Sequence, residues 1–286
     1  MTKRKTLKEL TIKDNFMFGA VMCNENNCRR LLELVLDFPI ADVKVSKEKC
    51  MIYHPEYKGV RLDVYAKDDE NTRYNVEMQA VRQIALGKRA RYYHSQIDME
   101  LLLSGAEYLN LPNTYVIFIC DFDPFGAGRY RYVFKNRCME SAETDLADGS
   151  ETIFLNTKGT NQEDEIPELV KFLKYVGADL KESTRDFSDS YVSQLQKTVS
   201  DIKESRRMEE RYMLTELLMQ DERRAGRAEG RAEGRKDSIL ESLEELGIIP
   251  NELYDRIMAE DDMSKLKEWT KLVIRVDSVD QFVKEM

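Results

Sequence analysis

Three oxygen-bearing side chains stand close together in a stretch where polar and apolar residues alternate: Asp63 in GVRLDVYAKD, then Glu77 and Gln79 in TRYNVEMQ. Successive side chains of a strand point to opposite faces. Asp63 therefore lies on the face opposite Leu62 and Val64, and Glu77 and Gln79 share a face of their own strand. Two carboxylates brought together on neighbouring strands repel one another. A hard divalent cation such as magnesium relieves that repulsion, because it takes oxygen ligands, often only one or two of them carboxylates, and fills its octahedron with water and phosphate oxygens. An ion held there lowers the pKa of an attacking water and offsets charge on a phosphoryl transition state. The chemistry expected of this pattern is phosphodiester hydrolysis, with Gln79 placed to orient the water or a phosphate oxygen.

The elements that must position these groups can be read around them. Leu62, Val64 and Ala66 alternate with Arg61, Asp63 and Tyr65, and Tyr74, Val76 and Met78 alternate with Asn75, Glu77 and Gln79, while DDEN between them reads as a turn. The two strands form an antiparallel hairpin, and pairing Asp68 with Thr72 around a three-residue loop puts Asp63 opposite Glu77. Arg61, Lys67 and Arg73 are nearby cations that could instead neutralise the acids. Upstream, apolar residues at near-helical spacing from Asn15 to Phe38 predict two helices, the second ended by Pro39, and residues 42 to 53 give a weak strand signal. Downstream, a helix is expected from about Ile84 to Leu103, then a strand buried on both faces in TYVIFICDF, a turn in PFGAG and another strand in RYRYVFKN. This is a mixed α/β arrangement whose core ends near Gly159.

That helix carries Lys88, Arg89, Arg91 and His94 beside Tyr92 and Tyr93 directly after the carboxylate strand. Lys88, Arg89, Arg91 and Tyr93 are the expected DNA-binding residues, reading backbone phosphates without regard to base sequence. An amphipathic helix with an ordinary basic face is the plainer explanation.

Composition narrows the field. Charged residues make up 34% of the 286, above the roughly 25% of an average domain, and the net charge is -9. A uniformly basic surface is excluded, so a nucleic-acid surface belongs to the first half, where VRQIALGKRARYYH and GRYRYVFKNR collect cations, rather than to the acidic last third. Five cysteines without CxxC spacing and a start, MTKRKTLKEL, without the apolar stretch of a signal peptide lead us to expect a reducing cytoplasm. With no apolar run of about 18 residues, no membrane partner is expected. Two histidines, His54 and His94, are too few for a multi-histidine zinc site, and neither GxSxG nor a Walker A loop occurs.

Asp63, thirteen residues and then Glu77-Met78-Gln79 resemble the PD-(D/E)xK nuclease signature, and within it the Rpn family of recombination-promoting nucleases and transposase-like proteins. IKDNFMF, KRARYYHSQID, FICDFDPFGAGRYRY and FLNTKG are similar to blocks of that family in the same order, and GRAEGRAEG is similar to its C-terminal extension, so residues 10 to 235 are covered. The resemblance implies a restriction-endonuclease-like α/β core with a central mixed sheet, followed by a mostly helical C-terminal region. It also implies a magnesium-dependent DNA endonuclease, with manganese able to substitute, linked to recombination or mobile elements. On this resemblance Asp63 and Glu77 are metal-binding and catalytic, the Met78 carbonyl is a further metal ligand, and Gln79 is catalytic. Gln79 stands where the wider superfamily has lysine, although glutamine is ordinary in the Rpn-like group, and Leu62 replaces the superfamily proline. The alternative is a catalytically silent DNA-binding or oligomerisation protein that keeps the fold.

The expected domains are a nuclease core at 1–159, a helical extension with the RAEG repeat at 160–235 and a small helical region at 236–286. In the repeat, Gly226, Gly230 and Gly234 form one helical stripe and Arg227, Arg231 and Arg235 another, a solvated linker helix or a hinge. The long charged helices call for a partner face, so a homo-oligomer formed through them is expected. Glu33 is a candidate extra acid, Asp14 an N-cap, Asp121 and Asp123 turn-stabilising residues. In GRYRYVFKNR, cations alternate with aromatics, as on a half-buried strand that could also touch DNA.

Overall fold

A computed structural model describes residues 5–51, 60–141 and 143–286, without the side chains of 47–50 and 60–61. His54 and the side chain of Arg61 lie outside the described residues. Two compact units emerge, residues 1–209 and 210–286.

The first unit begins with helices α1 (Asn15–Met22) and α2 (Glu25–Leu36). Asn24 caps α2 by accepting from the Asn27 amide at 3.1 Å, and Asp37 ends it in the left-handed conformation (φ 60°), two residues before Pro39. The hairpin partners β2 (Val60–Asp68) and β3 (Arg73–Gln79) follow β1 (Val43–Met51). Val64 pairs with Val76 and Lys67 with Arg73, and the Asp68 amide bonds the Thr72 carbonyl, which is the register expected from the turn. Helix α3 (Leu86–Leu101) then crosses to β4 (Thr114–Cys120), which lies parallel to β3.

Strands β5 (Arg131–Phe134) and β6 (Ser150–Asn156) complete a mixed six-stranded sheet of order β1-β2-β3-β4-β6-β5. Strand β6 was not expected as an element; its apolar part, Ile153 to Leu155, is short and its start is polar. It earns its place by lying parallel to β4, where Ile117 pairs with Ile153. β4 is covered on both faces, as its unbroken apolar run requires: Val116, Ile117, Phe118, Ile119 and Cys120 are all fully buried. All six strands fall within residues 1–159, and α4 (Pro167–Gly177) and α5 (Ser190–Glu204) pack on α1 and α2.

Helix α3 is anchored by aromatic stacking. Tyr93 stacks on Phe118 at 6.2 Å between centroids, and Phe118 on Phe154 of β6 at 5.0 Å. Leu86, Ala90 and Ile97 join the same apolar cluster. The face of β4 that carries Phe118 is thus the face that α3 covers.

Helix α6 (Arg206–Leu246) is continuous through the RAEG repeat, and a Cβ added at Gly226, Gly230 or Gly234 would meet nothing within 4 Å. In the second unit its C-terminal part joins α7 (Asn251–Met258), α8 (Met263–Val273) and α9 (Val279–Glu285) around Ile239, Leu243, Ile257, Leu266 and Phe282. Among the described residues no helix is long and apolar enough to cross a membrane.

Gly159, just past β6, lies against Tyr130: a Cβ there would come within 2.6 Å of the ring and 2.7 Å of the Tyr130 nitrogen. Because that backbone cannot yield cheaply, Gly159→Ala is expected to lower stability by about 1–3 kcal/mol, read as a shifted urea midpoint. A midpoint equal to wild type would contradict this packing.

Candidate active site

The hairpin register brings Asp63 and Glu77 together, and the two carboxylates lock onto each other's strands. Glu77 Oε1 accepts from the Asp63 amide at 3.2 Å, and Asp63 Oδ2 accepts from the Met78 amide at 3.2 Å. Beyond the Val64–Val76 pair, therefore, side-chain carboxylates take backbone amides of the hairpin. The odd-numbered residues of β3 turn their backbone groups to β4, with the Arg73 amide on the Asn113 carbonyl and the Gln79 carbonyl on the Asp121 amide. By strand alternation the Met78 carbonyl faces β2, the side from which Asp63 reaches in.

Burial sets the electrostatics. β3 is buried along its whole length, and Glu77 is 0% exposed because its register partner is Phe118, under α3. The acids are consequently roofed by a helix rather than set on an open hairpin face. Burial first, and the charge of Asp63 second, push the Glu77 carboxyl well above the usual carboxylate range; Arg89 and the Asp63 amide pull the other way, while the side-chain amide of Asn75, buried on the same strand face, makes no hydrogen bond among the described residues.

Arg89, one turn into α3, provides the counter-charge. Its Nη2 donates to Glu77 Oε2 at 3.0 Å, and its Nη1 donates to Gln83 Oε1 at 2.7 Å and to Gln79 Oε1 at 3.5 Å. Its Nε donates to the Tyr93 hydroxyl, which in turn donates to Glu77 Oε2 at 3.4 Å. Gln79 is itself buried, at 5% exposure.

The predicted basic surface divides accordingly. Lys88 and Arg91 are exposed, Arg89 is turned in on the carboxylate, and Tyr93 is buried against Phe118. His94 is no part of a cationic face: its ring nitrogens sit 2.8 Å from the Thr114 hydroxyl and 3.1 Å from that of Thr152, and burial holds its pKa down at about 4. Asn75 and Gln83 were missed from sequence. Asn75 was signalled by its position two residues before Glu77 on the same strand face; nothing local marks Gln83.

Other acids have local work. Asp123 holds its turn by accepting from the amides of Phe125, Gly126 and Gly128, and Asp121 bridges Lys13 and Lys158. Glu33 accepts from Arg29 and from the Ile40 amide. Asp14 occupies the N-cap position of α1, but its side chain turns back to the Thr11 amide. Around β5, Arg131 pairs with Glu165, Arg129 with Asp164 and Lys135 with Glu151.

The donor set suits a hard cation. Two carboxylates and a carbonyl offer only oxygen, and burial together with the charge of Asp63, which raise Glu77, is the strain a cation relieves. Among the described residues, no group of three or more His, Cys, Asp or Glu side chains could hold a metal ion.

Because the folded chain keeps the Glu77 proton to higher pH than the unfolded chain does, this group's contribution to stability is present at acid pH and lost as pH rises above the ordinary carboxylate range. In chelator, Glu77→Gln should therefore show a flatter decline of unfolding free energy than wild type between acid and mildly alkaline pH. Parallel curves would mean that Glu77 is not strained.

No curated protein matches the chain, and no solved structure does. The sequence profile described as PD-(D/E)XK nuclease family transposase matches residues 13–228, which spans the sheet, the paired carboxylates and the start of the repeat. The chain belongs to the PD-(D/E)XK nuclease family transposases.

Proposed function

We propose that this protein is a divalent-metal-dependent DNA endonuclease acting in recombination or on mobile elements, with residues 1–159 as its catalytic core. The observation that carries the reading is the cross-strand lock, in which Asp63 and Glu77 each take a backbone amide of the other's strand. It holds two acids at one point against their mutual repulsion, an arrangement with a structural cost and a chemical use.

Asp63, Glu77 and the Met78 carbonyl would hold the ion, magnesium by preference and manganese as a substitute. When bound, such an ion supplies a more acidic water and charge neutralisation at phosphorus. The protein side of the reaction falls to its own residues. Asp63 and Glu77 are kept in orientation by the amides they accept from. Gln79, buried beside Glu77, offers an amide to orient the water or a phosphate oxygen. Lys88 and Arg91, exposed on α3, attract the phosphate backbone, and the reading places this chemistry in the cytoplasm.

Nicking of a supercoiled plasmid with magnesium tests it. Wild type should nick, and Asp63→Ala and Glu77→Ala should each lose at least about two orders of magnitude, the scale of removing one electrostatic element of an active site. Unchanged nicking in both variants would sink the assignment.

We further propose that the helical extension at 160–235 and the helical region at 236–286 serve self-association. Met213, Leu214, Leu217 and Leu218 form an exposed apolar stretch on α6, which a second copy would cover. Light scattering should give a smaller assembly for a chain ending at Glu209 than for the full chain. Equal masses would remove the idea.

A further inference from the structure

We propose that Arg89 is the cation of the reaction centre, taking over the charge that Gln79 cannot supply and binding the non-bridging oxygens of the scissile phosphate. This rests on the nuclease reading above and assigns a role to a residue expected only to contact the DNA backbone generally.

Glu77 is 1% exposed at its side chain, whereas Arg89, bonded to it at 3.0 Å, is 32% exposed and is therefore the cation beside the buried acid that an incoming phosphodiester can touch. Lys88 and Arg91 are exposed on α3, and among the described residues Arg89 is the cationic side chain bonded to Glu77.

The two inner contacts of Arg89, Nη2 to Glu77 and Nε to Tyr93, orient the guanidinium plane. Its Nη1 instead donates to two neutral amide oxygens, Gln83 at 2.7 Å and Gln79 at 3.5 Å. Hydrogen bonds to an anion are roughly twice as strong as those to a neutral acceptor, and a guanidinium fork matches a phosphate in shape. Exchanging neutral Gln83 for a phosphate oxygen is therefore favourable, and it leaves the Glu77 contact in place. Gln83 is exposed and lies outside α3, in the segment that ends at Ala85 with φ 63°, so releasing it disturbs no helix.

The Gln79 side-chain amide sits against the same Nη1, so the position from which a lysine would project its charge is already next to a guanidinium arriving from another element. The charge reaches the same place from α3 instead of β3.

The experiment uses the full-length chain and a fluorescent DNA duplex, with single-turnover cleavage in magnesium and binding by anisotropy in calcium. Arg89→Ala should slow cleavage by about 10²–10³-fold, the cost of losing one donor aimed at developing charge, while Kd rises by less than about tenfold. Adding Gln79→Lys to Arg89→Ala should restore at least about tenfold of the rate, because the lysine returns a cation to the same point. If Arg89→Ala fails to fold by thermal melting, Arg89→Gln is read by the same criteria. Cleavage within about threefold of wild type, a loss confined to Kd, or no recovery in a folded double variant overturns the proposal. A wild-type chain that does not cleave DNA overturns the nuclease reading and this one with it. A wild-type chain that cleaves, but no faster than Arg89→Ala, overturns this one alone.

Discussion

The structure turns on one buried acid. Glu77 sits under α3 with Asp63 beside it, and a carboxylate withdrawn from water costs several kcal/mol unless it is paired and hydrogen-bonded. Arg89, the Asp63 amide and the Tyr93 hydroxyl all converge on it. They arrive from α3 and from β2, so the acid on β3 is tolerable only when β2, β3 and α3 are all in place. Local folding and site assembly are the same event here.

That dependence explains the surrounding architecture. Residue 89 can reach residue 77 only if α3 lies over the β3–β4 pair at one height, and the Tyr93–Phe118–Phe154 stack sets that height. Phe118 is also the register partner of Glu77 in the parallel β3–β4 ladder. The apolar stack and the polar cluster therefore share a strand pair: one supplies the burial that strains the acid, the other the contacts that offset it. A strained, partly compensated polar cluster inside a well-packed core is what a functional site looks like when stability is sacrificed locally.

The C-terminal half follows a different logic. Three glycines in the repeat each cost a helix about 1 kcal/mol relative to alanine, and nothing within 4 Å repays them by close packing. The helix is nevertheless continuous, carried at one end by the cluster around Ile239 and Leu243. Leu214, Leu217 and Leu218 near its start are exposed, and the glycines of the repeat have open space around them.

Alternation by itself placed Asp63 and Glu77 on one hairpin face, and the short DDEN turn pinned their register, because a period of two leaves little freedom once the loop length is known. The unbroken apolar run of β4, the stop at Pro39 and the turn role of Asp123 were equally local signals. Strand β6 was hidden because a parallel partner is chosen by tertiary packing, not by its own pattern. The inward turn of Arg89, the burial of Tyr93, the neutrality of His94 and the roles of Asn75 and Gln83 were likewise decided only in three dimensions. A basic helix reads the same in sequence whether its arginine faces solvent or a buried acid. What separates the two is the position of α3 on the sheet, which depends on contacts between residues far apart in the chain.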